Sequence, residues 1–249
     1  MSVLIEACLD NLDAAIAAEA GGADRIELNL ALELDGLTPS VGLLKTIKNT
    51  VSIPIVAMVR PRAAGFCYSE ADFAVMQHDL DRLLEAGADG VVFGILDAHR
   101  RVDVARCRLL MQQVGSQEIV FHRAFDVVPD ASAALETLIQ LGFHRILTSG
   151  QQPTAPEGAP LIKRVIEQAR GRIEILPGAG IRAENVNALI QTTGCTQVHS
   201  TFSQRIIDPS TQNQSITFGG DATDPHTYLG VDADAIRRLR AAVDAGKQT

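Results

Sequence analysis

Five ionisable residues lie within or at the end of short apolar runs: Glu6 in Val3–Cys8, Glu27 in Arg25–Asn29, Arg60 closing Ile53–Arg60, His122 in Glu118–Arg123 and His199 in Gln197–Ser200. Carboxylates, imidazoles and a guanidinium are the components of acid/base chemistry on an anionic substrate. Glu6 or Glu27 is the acid/base candidate, His122 a second one, and Arg60 the group that holds a negative charge, with His199 beside them. The same side chains could instead satisfy one another as an interior ion-pair network, because a lone buried charge is costly. Both readings stand at this point. Around this set the segment His122–Asp126 (HRAFD) adds Arg123 for the anion and Asp126, which either orients an imidazole or caps a turn. Pro177–Ile181 (PGAGI) brings Gly178 and Gly180, whose backbone N–H groups suit an anion, and Ser149-Gly150 is a weaker addition of the same kind. Cys8 is the one thiol placed to be a soft metal ligand.

These residues need elements that carry them to one place. The glycines Gly22, Gly87, Gly142 and Gly194 are spaced 65, 55 and 52 residues apart, and each ends a helix shortly before a strand. That spacing is about two βα units per interval, so the expected architecture is α/β, a single parallel (β/α)8 TIM barrel over residues 1–249. In strand two, Ile26 and Leu28 suit the helix layer, which sends Arg25, Glu27 and Asn29 toward the axis. The same alternation turns Glu6, Cys8, Arg60, His122 and His199 inward, most of them near the carboxyl ends where barrel enzymes work. The first helix is expected to bury Leu12, Ile16 and Ala20, and Pro39 to begin the second. Residues 201–230 are rich in Ser, Thr, Gln, Asp, Gly and Pro. They read as a long irregular loop after strand eight, either a lid or a cover for the mouth.

Composition narrows the function classes. With 46% apolar and 21% charged residues the chain is a soluble globular type, and at net charge −8 it is poorly suited to nucleic acid or an anionic membrane. There is no apolar run of membrane-spanning length and no room for a signal peptide before the first strand, and the four scattered cysteines show no framework spacing; the expectation is cytoplasmic. No G-x-G-x-x-G or P-loop is present, so no nucleotide cofactor is expected. A homodimer is expected from the frequency of homo-oligomers.

Several stretches together resemble the CutC-type copper homeostasis family. They are IEACLDNLDAAIAAEAGGADRIEL near the start, VRPR at Val59–Arg62, FCYSE at Phe66–Glu70 and GADGVVFG at Gly87–Gly94. FHRAFD at Phe121–Asp126, LETLIQLGFHRILTSG at Leu135–Gly150, LIKRVIEQARGRIEILPGAGI ending at Ile181, and VHST at Val198–Thr201 follow in order. The resemblance implies one barrel, a cytoplasmic setting, and control of copper with an enzyme-like pocket at the mouth. Copper binding in the family is associated with cysteines near the ends of the first two strands, which here are Cys8 and Asn29. The partner is therefore a copper ion or, in the alternative, a small anionic metabolite such as a sugar acid or phosphate ester.

Overall fold

A computed structural model describes residues 3–211 and 226–246. Strand and helix alternate as β1 (Leu4–Leu9), α1 (Leu12–Gly21), β2 (Arg25–Leu28), α2 (Val41–Lys48), β3 (Ile55–Met58), α3 (Glu70–Glu85), β4 (Gly90–Phe93) and α4 (Val104–Val114). The series continues with β5 (Glu118–Phe121), α5 (Ala131–Leu141), β6 (Arg145–Thr148), α6 (Ala159–Ala169), β7 (Glu174–Pro177), α7 (Val186–Thr193) and β8 (Gln197–Ser200). After β9 (Ser203–Ile207) and β10 (Thr227–Val231), α8 (Ala233–Ala245) completes the helical ring. The eight barrel strands are parallel and follow chain order, β8 pairs with β1, and a bridge between Gly178 and His199 draws the end of β7 to β8. This is the (β/α)8 barrel that the glycine spacing requires.

Capping chemistry sets where the helices start and stop. The Asn11 side chain accepts from the Ala14 N–H, and the left-handed Gly22 ends α1. Ser69 and Asp72 form a reciprocal capping box on α3. For α2 the cap is Ser40, whose Oγ accepts from the Leu43 N–H, so Pro39 lies outside the helix it was expected to begin. α1 also differs: it buries Ala14, Ala15 and Ala18 while Ile16 is 44% exposed. Small side chains there let the helix lie close to the sheet and to α8, where a Cβ at Gly21 would lie 2.8 Å from Ile236.

Two apolar clusters result. The larger one fills the layer between sheet and helices, and the smaller one, Val56, Met58, Val92, Val120, Leu147 and Leu176, lies on the inward positions of β3 to β7. Residues 201–230 are more ordered at their ends than expected. β9 and β10 pair antiparallel, Asn11 Nδ2 donates to the Leu229 carbonyl, and the Asp232 N–H donates to the Phe202 carbonyl. Each strand supplies the backbone partners the other lacks, which an isolated polar segment does not reveal. The rest of that expectation, residues 212–225, lies outside the described residues.

Candidate functional site at the barrel mouth

The inward positions of β1, β2 and β8 are mostly polar, whereas Val56, Met58, Val92, Val120, Leu147 and Leu176 fill those of β3 to β7 above a charged cluster at the amino ends. Because β1 pairs with β2 and β8 in register, Glu6 is opposite both Arg25 and His199. Glu6 accepts from Arg25 Nε at 2.5 Å and holds His199 Nδ1 at 2.7 Å, and all three are buried. Burial pushes the Glu6 carboxyl up, but the charges of Arg25 and His199 outweigh it and bring the group down to about 2. An ionised Glu6 can only accept, so Nδ1 of His199 carries a proton and Nε2 is the ring nitrogen left over. Burial lowers His199, and the charges of Glu27 and Glu6 overcome this and raise it.

One step further along the strands, Cys8 Sγ lies 3.7 Å from Glu27 Oε1. Asn29 Nδ2 donates to that sulfur at 3.3 Å and to Glu27 Oε1 at 3.0 Å. Burial raises the Glu27 carboxyl and raises the Cys8 thiol well above its usual value; the Glu27 and Glu6 charges add to the latter. Ligand atoms of Cys8, Glu27 and His199 lie within 4.8 Å of one another. Two further oxygens here, Glu27 Oε2 and Asn29 Oδ1, are buried with no donor facing them. Such acceptors, beside a thiol and an imidazole, fit a cation better than empty space. The donors are one sulfur, one nitrogen and oxygen, a mixture suited to a borderline ion such as zinc or copper. The amide at position 29 donates to the ligands rather than adding a second sulfur.

The cavity in front of this wall measures about 980 Å³ and also reaches Met58, Arg60, Phe66, His122, Arg123, Asp126, Leu147 and Gly180. Phe202, Ser203 and Leu229 extend it at the rim, so the described ends of residues 201–230 line the mouth.

The remaining sequence candidates take less reactive positions. Arg60 spends Nη1 on the carbonyls of Leu34 and Gly36, at 2.9 and 2.8 Å, and Nη2 on that of Ala64 at 2.9 Å. It therefore pins two loops, and an anion contact is left to its charge, its Nε or the second hydrogen of Nη2. His122 Nδ1 accepts the Ala124 N–H at 3.1 Å, and burial, reinforced by the Arg60 charge, brings the imidazole down to about 3. A ring that stays neutral and keeps its acceptor nitrogen occupied is a poor base, which runs against the acid/base role expected of it. Asp126 orients no imidazole. It accepts from Thr148 Oγ1, from the N–H and Oγ of Ser149, and from Arg123 Nε, locking the loop after β5 to the end of β6. Ser149 is buried within that latch, and the Gly178 N–H is taken by the Thr148 carbonyl. Gly180 lines the cavity with φ +70°, and a side chain there would strike Thr154.

Two interior groups escaped sequence reasoning. Arg145 pairs with Glu118 and with Glu174 near the amino ends of the strands, and Gln197 bridges Arg25 to Glu174. Arg145 shares parity with Leu147, and that signal could have placed it inside the barrel.

Comparison with known proteins gives this geometry a lineage. The model of the CutC family matches residues 3–204. A family protein CutC of Treponema denticola is 48% identical over 231 residues, covering 92% of this chain and 94% of its own. The copper homeostasis protein cutC homolog of Homo sapiens is 44% identical over 240 residues, covering 96% of this chain and 88% of its own. A crystal structure of a Streptococcus agalactiae protein named for copper homeostasis, CutC, has a TM-score of 0.77 at 34% identity and covers 80% of this chain and 98% of that one. The family match over residues 3–204 and the 44–48% identity over more than nine-tenths of the chain agree with the barrel topology: the chain belongs to the CutC family.

Proposed function

We propose that this protein is a copper-handling barrel whose ion is held at the mouth by Cys8, Glu27 and His199. The observation that carries the reading is the convergence of their three ligand atoms within 4.8 Å, beside buried oxygens that lack donors. Glu6 holds the Nδ1–H of His199 and so presents Nε2 as the ligand nitrogen, the carboxylate–imidazole arrangement that supports metal sites. The Cys8 thiol must lose its proton on binding, so affinity rises with pH. Relatives named for copper homeostasis support the choice of ion. Anaerobic titration of the reduced protein with Cu(I), in competition with a chelator, is the test. One ion per chain is expected, with binding lost in Cys8→Ser. No binding beyond that of a weak chelator, or unchanged binding in Cys8→Ser, overturns the reading.

Four free cysteines support a reducing cytosol as the setting. Among the described residues no helix is long and apolar enough to cross a membrane. Self-association into a homodimer completes the reading, and sedimentation giving only the 26.6 kDa chain contradicts it.

One observation favours a second reading, an enzyme acting on a small anionic metabolite. Burial raises Glu27 against the opposing charge of His199, the charge of Glu27 raises His199 against burial, and both groups line the cavity, so the pair can hold a proton there. Here Glu27 is the acid/base group and copper has no part. Turnover of a sugar acid or phosphate ester that survives removal of metal and is abolished in Glu27→Gln would establish it, whereas turnover unchanged in Glu27→Gln rules it out.

A further inference from the structure

The wall across the cavity from Cys8 has the opposite demand. His122 is buried, and the Ala124 N–H already occupies its Nδ1, so the single proton of the neutral ring resides on Nε2. That Nε2 is buried and has no acceptor. The ring cannot easily turn away, since a Cβ at Gly94 would lie only 2.5 Å from its Cε1 and Nδ1, and Phe66 packs on it at 4.7 Å. Phe66 also packs on the guanidinium of Arg60, 5.4 Å from the ring centroid. Arg60 is 4% exposed, and its partners are carbonyl oxygens, which satisfy hydrogen bonds without neutralising charge. Among the described residues no carboxylate lies within ion-pair distance of it, while each of the other two buried arginines, Arg25 and Arg145, has one. A buried cation without a counter-ion and a buried N–H without an acceptor are each unfavourable alone. Both line the same cavity.

We propose that Arg60 and His122 form a binding site for an anionic oxygen of an organic ligand, a carboxylate or a phosphate ester, with His122 Nε2–H as donor and the Arg60 charge as counter-ion. His122 then contacts directly a ligand that spans the mouth toward Glu27. The proposal deepens the small-molecule reading of this pocket and does not depend on copper.

The test uses the metal-free full-length chain with ¹⁵N-labelled histidine. Inorganic phosphate and glycolate are titrated separately against chloride at matched ionic strength, and the His122 Nε2–H resonance is followed. At least one probe is expected to shift that resonance saturably, phosphate alone indicating phosphate esters and glycolate alone indicating carboxylic acids. His122→Phe keeps a ring of similar size and removes the donor, and affinity for the effective probe should fall roughly ten- to hundredfold. His122→Gln, which restores an N–H, should recover part of the loss. If neither probe moves the resonance in the wild-type protein, or if His122→Phe binds as well as wild type, the proposal is wrong. Because binding without metal is what is read, a negative result here leaves the Cu(I) titration unaffected, and failure of Glu27-dependent turnover leaves this site standing.

Discussion

The barrel interior has two unlike halves. β8, β1 and β2 fill their inward positions with Glu6, Cys8, Arg25, Glu27, Gln197 and His199, whereas β3 to β7 supply Val56, Met58, Val92, Val120, Leu147 and Leu176. At the mouth the contrast becomes one of charge. The first half ends in Cys8, Glu27 and acceptors without donors, and the second in Arg60 and a histidine donor without an acceptor. The polar half can be polar because its register pairs Glu6 with Arg25 and His199 at once, so the charges arrive already matched. At its mouth the other half has no such match, and the free N–H of His122 and the uncompensated charge of Arg60 point to an occupant from outside.

Breaking the matched half should have the largest effect. Glu6→Gln leaves Arg25 buried without its carboxylate and should cost about 3–5 kcal/mol in denaturant unfolding. A loss under about 1 kcal/mol would mean that the charges are not truly sequestered. Since Glu6 lies below its ordinary 4.5, its contribution is complete above that pH and disappears as pH falls toward 2. Wild type should therefore lose stability over that window, and Glu6→Gln should lose less of it by the same measurement, the remaining loss coming from groups such as Glu136 and His122.

On the other half, Gly94→Ala forces a methyl group against the His122 ring. A cost of about 1–3 kcal/mol in thermal melts is expected, together with a weaker anion response. Wild-type stability and anion binding would show that the ring is not held by this contact.

Asn29→Cys sharpens the comparison by adding a second sulfur to the acidic wall, next to Cys8 and Glu27. Cu(I) should bind roughly tenfold tighter in chelator competition, with little change in anion binding across the cavity. Arg82→Ala is the smallest change, because Arg82 and Glu85 form an exposed pair on α3 far from either wall. A shift within about 0.5 kcal/mol is expected, and a larger one would show that surface charge influences the fold more than the interior contrast implies.

Much of this contrast was legible in the sequence because strand parity is a strict constraint. Once Ile26 and Leu28 face the helices, Glu27 must face the axis, and the same logic placed Glu6, Cys8, His122 and His199. What parity cannot give is how a long side chain ends. The clamp of Arg60 on the carbonyls of Leu34, Asp35 and Gly36 depends on the loop after β2 curling back through left-handed residues at Ala31, Asp35 and Gly36. His122 looked like a base from its residue type, and its neutral state follows from Ala124 N–H and from burial, neither visible in the chain. The β9–β10 pairing joins segments some 20 residues apart with little apolar alternation, so no local pattern announced it.

The contrast is tested most directly by a pH titration of the two imidazoles in the metal-free protein, read from two-bond ¹H–¹⁵N spectra. His199 should titrate above its ordinary 6.5, so that its contribution to stability is present below that pH and fades as pH rises through the folded value. His122 should remain neutral with its proton on Nε2 down to about pH 3, its contribution being complete above 6.5 and lost as pH falls from there. Both rings titrating together near 6.5, or His122 titrating above His199, would contradict the account.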